Sequence, residues 1–263
     1  MSLKKRLIPV LLLKNEMLVR SELFKYHQII GNPLEEVERF NEWNVDELIY
    51  LDITNDEDYN SKRADINYTI SNNSLDILKK VSKSCFMPLT WGGKIKNLKD
   101  MEARFRFGAD KITINSEAIK NPDLIKEASK NFGNQAIVVS IDVNIDNDNN
   151  YRIYSNGRKV KHNLDLIEWV KKVEDYGAGE ILLQCINLDG TGKGYDVKLI
   201  NLVSSSVNIP VIGCSGAGSF EDYAECINAG ASAAAAANIW HFKELSDREG
   251  KRALKRANID VRI

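Results

Sequence analysis

Apolar residues along the chain form short runs that alternate with longer amphipathic stretches. Eight runs are rich in branched or small apolar residues, and the first, RLIPVLLL, begins at Arg6. Most of the intervening stretches repeat their apolar positions at the spacing of a helix, which is typical of β-α-β units in a parallel sheet. The predicted strands span residues 6–13, 47–53, 87–91, 110–115, 136–142, 180–186, 209–214 and 233–238.

Eight parallel strands joined by helices predict an α/β fold, the (β/α)8 TIM barrel. The 263 residues exceed the usual length of one domain, but barrels of about 250 residues form a single unit. We therefore expect one domain over residues 1–263. Two departures from the plain barrel are expected: a long polar loop at 54–73, and a hairpin insertion near 144–161 that turns at Asn156-Gly157.

Two helices have a clear start signal in the sequence. Asn32 precedes Pro33, and Asn121 precedes Pro122. Because asparagine is a favoured N-cap and proline is favoured at the first helical position, we expect Asn32 and Asn121 to cap helices.

The two halves of the chain resemble each other. GADKITIN, from Gly108, recurs loosely as GASAAAAAN, from Gly230, and MPLTWGG recurs as IPVIGCSG, at offsets of about 122 residues. This similarity predicts a barrel made of two half-barrel repeats. Aligning the first strands of the two halves places Leu12 opposite Asp142, so an acid is present at this position in one half only.

Composition and charge narrow the classes of partner. Hydrophobic residues make up 43% of the chain, charged residues 28%, and the net charge is −1. Bulk charge therefore gives no indication of a nucleic-acid or membrane partner. The first apolar run, IPVLLL, is too short for a signal peptide or a membrane span, so we expect a cytoplasmic protein. The four cysteines form no C-x-x-C pair, so neither a disulfide framework nor a metal site is indicated, and we expect no cofactor.

Three aspartates are candidates for catalytic groups. Asp142 lies at the carboxyl end of a predicted strand, where catalytic residues of barrels collect. Asp52 and Asp189 lie at similar strand or loop ends. The alternative is that these carboxylates only stabilise turns, in which aspartate is common.

Two glycine turns, WGG and CSGAG, each follow a predicted strand. Backbone N–H groups in such turns bind anions near helix starts, so we expect a phosphate-bearing small molecule in the barrel mouth. The alternative is a pair of tight turns without a ligand. The candidate phosphate-binding or substrate-binding residues are Gly93, Lys94, Asn115, Gly216 and Asn238.

The chain resembles the HisF family, the cyclase subunits of imidazole glycerol phosphate synthase. The resemblance covers nearly the whole length and rests on DELIYLDIT, GADKITIN, GAGEILL, DGTGKGYD, SGAG and the ending VRI. It implies a barrel that docks a glutaminase on its bottom face, receives ammonia through its core and closes an imidazole ring with two mouth aspartates. One of these corresponds to Asp142 and the other to Leu12. A further family residue, a loop lysine that contacts substrate, corresponds to Arg20, and Lys94 replaces the last glycine of the family's phosphate turn.

The resemblance also implies a function for the bottom face. A ring of four charges there admits ammonia in the family, and Arg6, Glu47, Lys111 and Glu180 match it in position and sign; we call these four residues the gate. Asp110 matches an aspartate that activates the docked glutaminase. The alternative is that the four charges only close the barrel with salt bridges, because buried charges require partners.

Leu12 changes what the resemblance implies for catalysis, because leucine cannot exchange a proton and a general acid or base contributes about 10²–10⁴-fold in rate. A retained gate with one catalytic aspartate missing is similar to the HisF paralogues linked to acetamidino modification of surface sugars, as in lipopolysaccharide. That similarity implies two partners, a HisH-like glutaminase and an ATP-dependent N-acetyl-sugar amidotransferase. The alternatives are a true cyclase of histidine biosynthesis and a non-catalytic scaffold that activates the glutaminase.

Overall fold

The computed structural model describes residues 4–54 and 74–262. Nearly all of the predicted loop at 54–73 lies outside the described residues. In chain order, the described strands are β1 (Arg6–Lys14), β2 (Met17–Glu22), β3 (Tyr26–Gly31), β4 (Leu48–Asp52), β5 (Leu89–Gly92), β6 (Lys111–Ile114), β7 (Ile137–Ile145), β8 (Tyr151–Ser155), β9 (Val160–Lys161), β10 (Glu180–Cys185), β11 (Val211–Cys214) and β12 (Ala233–Ala236).

Helices follow the barrel strands on the outside. Within the described part of the chain they are α1 (Pro33–Trp43), α2 (Ser74–Ser84), α3 (Leu98–Arg106), α4 (Ser116–Lys120), α5 (Asp123–Phe132), α6 (Leu166–Asp175), α7 (Val197–Ser204), α8 (Glu221–Asn228), α9 (Asn238–Phe242) and α10 (Ser246–Arg256). None of them is long and apolar enough to cross a membrane.

Eight parallel strands close into a barrel, as the sequence predicts. The hydrogen-bonded order is β1, β4, β5, β6, β7, β10, β11 and β12, and β12 pairs with β1 to complete the ring. Each barrel strand overlaps one predicted apolar run. The fold is therefore a (β/α)8 TIM barrel.

Strand β1 shows why the barrel strands are continuous apolar runs. Leu7 and Leu11 pack in the core between the barrel and its helices, whereas Ile8, Val10 and Leu12 pack in a separate cluster inside the barrel. Because successive side chains of a strand point to opposite faces, both faces of β1 are buried. Leu12 therefore faces the interior near the carboxyl end of the strand, which is the mouth of the barrel.

The half-barrel repeat is visible in the strand lengths. Each half begins with a nine-residue strand, β1 or β7, that runs directly into an antiparallel hairpin. The hairpin of β8 and β9 turns at Asn156-Gly157, as predicted. Its counterpart, the hairpin of β2 and β3, has no turn signal in its sequence and is not among the predicted elements.

The two predicted helix caps have different outcomes. The Asn32 side chain accepts a hydrogen bond from the Leu34 N–H, and Pro33 is the first residue of α1, as expected. The prediction for Asn121 was wrong, because α5 begins at Asp123 and no side chain caps it.

Candidate functional site at the two ends of the barrel

The four gate residues meet at the amino-terminal ends of the barrel strands. The Arg6 Nη1 atom lies 2.5 Å from Glu47 Oε1 and 2.9 Å from Glu180 Oε1. The Lys111 Nζ atom lies 3.2 Å from Glu47 Oε2 and 3.2 Å from Glu180 Oε2. Each cation therefore bridges both carboxylates, and the ring is closed and electrically neutral.

The surroundings of the gate set its electrostatics. Burial alone lowers the pKa of Arg6, but the charges of Glu180 and Glu47 and their hydrogen bonds raise it above its ordinary value. The barrel interior above the gate is apolar, with small side chains on β12. Residues of this interior cluster include Ile8, Ile49, Val138, Leu182, Ile212, Ala233 and Ala235.

Asp110 lies on the bottom face beside the gate. Its Oδ2 atom accepts a hydrogen bond of 2.8 Å from the Leu89 N–H, and the residue is exposed. The Asp110 N–H also donates to the Leu89 carbonyl oxygen at 2.8 Å, and the two bonds together hold the start of β6, where Lys111 follows directly. Asp110 therefore has the placement expected of a surface contact, with its carboxylate held by the adjacent strand.

A cavity of about 630 Å³ opens at the opposite end, in the mouth of the barrel. Leu12 and Asp142 both line it, from β1 and β7. Other predicted residues line it as well, namely Asp52, Gly93, Lys94, Asn115, Asp189, Gly216 and Asn238. The structure therefore brings all but one of the predicted mouth residues into one cavity.

Arg20 is the predicted mouth residue that does not line the cavity. Its guanidinium Nε donates a hydrogen bond of 2.8 Å to Gln28 Oε1 on the neighbouring strand of the first hairpin. A different arginine, Arg158, lines the cavity from the tip of the second hairpin, and its Nη1 donates to the Leu23 carbonyl oxygen at 2.7 Å. Arg158 is not among the residues predicted from the sequence.

Asp142 lies on the polar side of the cavity floor. Its Oδ1 atom accepts hydrogen bonds from Gln184 Nε2 at 3.0 Å and from Ser140 Oγ at 3.3 Å. Burial raises the pKa of Asp142 to about 7, although hydrogen bonding by Ser140, Gln184 and Asn115 lowers it, and the charge of Asp189 raises it further. A carboxyl group with such a pKa can donate or accept a proton near neutral pH.

Asp52 lies at the end of β4, with its side chain almost fully buried. Its Oδ1 atom accepts a hydrogen bond of 3.0 Å from the Thr54 N–H, and the Lys94 Nζ atom lies 3.8 Å from Oδ2. The bond to Thr54 is the local turn contact of the alternative interpretation. Lys94 adds a cation on this side of the mouth.

Asp189 holds the first hairpin in place over the mouth. Its Oδ2 atom accepts hydrogen bonds from Ser21 Oγ at 2.7 Å and from the Phe24 N–H at 3.1 Å, and its carbonyl oxygen accepts one from the Leu23 N–H at 2.9 Å. Burial raises the pKa of Asp189, and the bonds from Ser21 and Phe24 lower it. These contacts join the second half of the barrel to the first hairpin, and we call them the latch.

The first glycine turn is packed against the backbone. Gly93 has φ +97°, and a Cβ atom there would lie 2.1 Å from the Asp52 carbonyl oxygen. Behind the turn, the buried Arg104 donates from Nη2 to the carbonyl oxygens of Gly93 at 3.3 Å and of Lys94 at 3.1 Å. Sequence reasoning missed Arg104 because it lies inside a helix, away from any motif.

The second glycine turn is packed just as closely. A Cβ atom on Gly216, which has φ +89°, would lie 2.0 Å from the Gly194 carbonyl oxygen. The Asn238 Nδ2 atom donates to the Ser21 carbonyl oxygen at 2.9 Å and thus also holds the first hairpin. Backbone packing alone requires glycine at both turns, so phosphate binding at Gly93 and Gly216 stays a prediction.

Within the described ranges, no group of three or more His, Cys, Asp or Glu side chains is placed to hold a metal ion. Cys214 lines the mouth cavity, whereas Cys185 packs in the core between the barrel and its helices; both are buried, and burial raises the pKa of each thiol to about 12. Both thiols are therefore neutral at physiological pH.

Comparison with known proteins covers the whole chain. The family model described as histidine biosynthesis protein matches residues 6–246. The imidazole glycerol phosphate synthase subunit HisF of Hydrogenobaculum sp. is 43% identical over 262 residues, which are 99% of this chain and 100% of that protein. The HisF subunits of Wolinella succinogenes and Helicobacter hepaticus are 42% and 40% identical, over 99% and 100% of both chains respectively. The barrel, its mouth and its full-length similarity to these subunits together place the chain in the HisF family.

Proposed function

We propose that this protein is the ammonia-receiving subunit of a glutamine-dependent synthase. A HisH-like glutaminase docks on the bottom face, and ammonia released there enters the barrel through the gate. The observation that carries this proposal is the closed ring of Arg6, Glu47, Lys111 and Glu180 at the end opposite the mouth.

The gate and the interior favour the passage of neutral ammonia. Both cations are held by two carboxylates, so one ion pair has to separate before a small molecule can pass. Beyond the gate, the apolar cluster around Ile49 and Leu182 disfavours an ammonium ion, because an unpaired charge is costly to transfer from water into an apolar interior. The nitrogen therefore reaches the mouth as neutral ammonia and not as the ammonium ion.

At the mouth, Leu12 supports a reaction other than imidazole ring closure. It faces the cavity floor where the second acid of the family would lie, and Val10 and Leu51 extend the apolar surface around it. Ammonia is therefore delivered for amidine formation, with an ATP-dependent N-acetyl-sugar amidotransferase as the third protein. In that partner ATP activates the carbonyl oxygen of the acetamido group of a surface-polysaccharide sugar, ammonia adds to the carbonyl carbon, and the oxygen leaves with the phosphoryl or adenylyl group from ATP, which gives the acetamidino group.

The second candidate function is that of a true cyclase in histidine biosynthesis. The relatives' name favours it over amidine formation, because proteins 40–43% identical over their whole length are called imidazole glycerol phosphate synthase subunits. On this candidate, Asp142 performs proton transfer alone, with a carboxyl pKa of about 7. A non-catalytic scaffold is the third outcome.

The test is reconstitution with the glutaminase and glutamine labelled with 15N in its side-chain amide. Three products are followed: glutamate, imidazole glycerol phosphate when the cyclase substrate is supplied, and 15N-amidine when the sugar and amidotransferase are supplied. We expect labelled amidine, and cyclase turnover at least about 100-fold below that of a HisF with both aspartates. Cyclase turnover equal to that of a HisF with both aspartates would favour the second candidate. Formation of glutamate without either nitrogen-containing product would favour the scaffold.

Two variants test the docking and the passage separately. Asp110→Asn should weaken activation of glutamine hydrolysis, whereas Lys111→Met should disturb the coupling of hydrolysis to amidine formation. The matched control is Asp175→Asn, an exposed carboxylate at the end of α6 on the same face. Wild-type rates in both test variants, together with no binding of a glutaminase, would contradict the proposed function.

A further inference from the structure

Three side chains form a row across the polar side of the mouth floor. Asp142, Gln184 and Cys214 are in register on the neighbouring parallel strands β7, β10 and β11. All three are buried, and all three line the mouth cavity. Gln184 lies between an acid and a thiol and contacts both.

The hydrogen bonds fix the orientation of the Gln184 amide. Its Nε2 atom lies 3.0 Å from Asp142 Oδ1 and 3.1 Å from Ser140 Oγ, and its Oε1 atom lies 3.8 Å from Cys214 Sγ. The reverse orientation would place the amide oxygen against the carboxylate oxygen. The nitrogen therefore faces Asp142, and the thiol donates to the amide oxygen.

This orientation distinguishes the two oxygens of Asp142. Gln184 and Ser140 both donate to Oδ1. An oxygen that accepts two hydrogen bonds is a poor site for a proton, so the proton of the neutral acid resides on Oδ2. The titratable neighbours are the Asp189 carboxylate and the neutral thiol of Cys214.

We propose that Gln184 is a positioning residue, which holds Oδ1 of Asp142 by a hydrogen bond so that Oδ2 is the proton-exchanging atom of this carboxyl group. This inference rests on the proposed function only in taking the mouth as the reacting end. One carboxyl that alternately accepts and donates needs a fixed orientation, because no second acid at position 12 shares the task. Gln184 provides that orientation from the adjacent strand.

The test measures the titration of Asp142 directly, by 13C NMR of protein labelled at the aspartate carboxyl carbons. The resonance is assigned as the one missing in Asp142→Asn. In Gln184→Met, which keeps the length of the side chain and removes the donor, the midpoint should rise by about one pH unit, because a hydrogen bond to the carboxylate is lost. The shorter Gln184→Asn, which withdraws the donor and keeps an amide, should shift the midpoint in the same direction.

Gln135→Met is the matched control, since Gln135 is an exposed glutamine next to the start of β7 at the far end of the barrel. It should leave the titration of Asp142 unchanged. An unchanged midpoint in both Gln184 variants would overturn the inference. Because this measurement needs no glutaminase, a shifted midpoint with no coupling to glutamine hydrolysis would count against the proposed function and leave the role of Gln184 standing.

Discussion

At the scale of single residues, the mouth is asymmetric because an acid faces the floor from β7 and a leucine faces it from β1. The position of Asp142 could be predicted from the sequence, since it ends an apolar strand. Its hydrogen bonds to Ser140 and Gln184 could not, because they depend on which strands become neighbours and on their register. The same holds for Asp189, whose partners Ser21 and Phe24 are 168 and 165 residues away in sequence; its catalytic role stays a prediction.

Burial of Asp142 predicts a pH-dependent contribution to stability. Its ordinary pKa is 3.8, and burial raises it to about 7 in the folded protein. Between these values the folded state holds a proton that the unfolded chain has lost, so the contribution to the free energy of unfolding falls as pH rises through this window. The free energy of unfolding of wild type minus that of Asp142→Asn should be larger at pH 5 than at pH 8, by on the order of 3 kcal/mol.

Urea denaturation at the two pH values measures this difference. Asp175→Asn, at an exposed position on α6, serves as the control and should give a difference from wild type that does not change with pH. A pH-independent difference for Asp142→Asn would show that Asp142 has its ordinary pKa.

Gly93→Ala should destabilise the barrel, because the added Cβ atom would lie 2.1 Å from the Asp52 carbonyl oxygen at a φ of +97°. We expect a loss of at least about 2 kcal/mol in the free energy of unfolding, measured by urea denaturation. Gly31→Ala is the matched control, since no atom lies within 4 Å of its Cβ position, and it should change stability by less than about 1 kcal/mol. Equal effects would mean that the turn at Gly93 can relax.

At the scale of elements, long apolar strands were predictable and the first hairpin was not. Its turn contains Leu23 and Phe24, both with positive φ, where glycine or asparagine is usual. Contacts from Asp189 and Asn238 in the other half stabilise this turn instead. The predicted cap at Asn121 is also absent. The chain forms the short helix α4 first, Asn121 follows its end, and α5 begins only after Pro122.

Asp189→Ala should loosen the hairpin of β2 and β3 without unfolding the barrel. The variant loses the side-chain acceptor of Ser21 Oγ and of the Phe24 N–H. Hydrogen exchange followed by mass spectrometry should show faster exchange in peptides covering residues 17–31, while peptides of β10 and β11 stay protected.

Asp146→Ala is the matched control in the turn between β7 and β8, where Asp146 accepts a bond from Arg152 Nε at 2.7 Å. It should affect peptides around residues 145–155 only. If Asp189→Ala leaves exchange in the first hairpin at wild-type rates, the latch does not hold that hairpin.

At the scale of the whole molecule, the gate joins strands from both halves of the barrel. The sequence places each gate residue at a strand start, and strand starts converge once the barrel closes, so this meeting could be anticipated. The bridging pattern, in which each cation contacts both carboxylates, depends on side-chain geometry that the sequence does not specify.

Removal of one gate charge should cost more than removal of a balanced pair. Lys111→Met leaves Glu47 and Glu180 with Arg6 alone, and Glu47→Gln leaves two cations with one carboxylate. The double variant restores one cation and one anion, so its loss of stability should be smaller than the sum of the single losses by about 1 kcal/mol or more. Urea denaturation of the four proteins gives this coupling energy, and additive losses would show that the ring does not act as a unit.

The bond between Arg158 and the Leu23 carbonyl oxygen joins the tips of hairpins that belong to opposite halves of the barrel. The distance they span together is fixed by the width of the mouth, and each residue of an extended strand reaches only about 3.3 Å. A deletion in one hairpin therefore has to be matched by an insertion in the other, or the bridge is lost. The lengths of segments 17–31 and 145–161 are thus expected to vary together during evolution, although the segments lie more than one hundred residues apart in the chain.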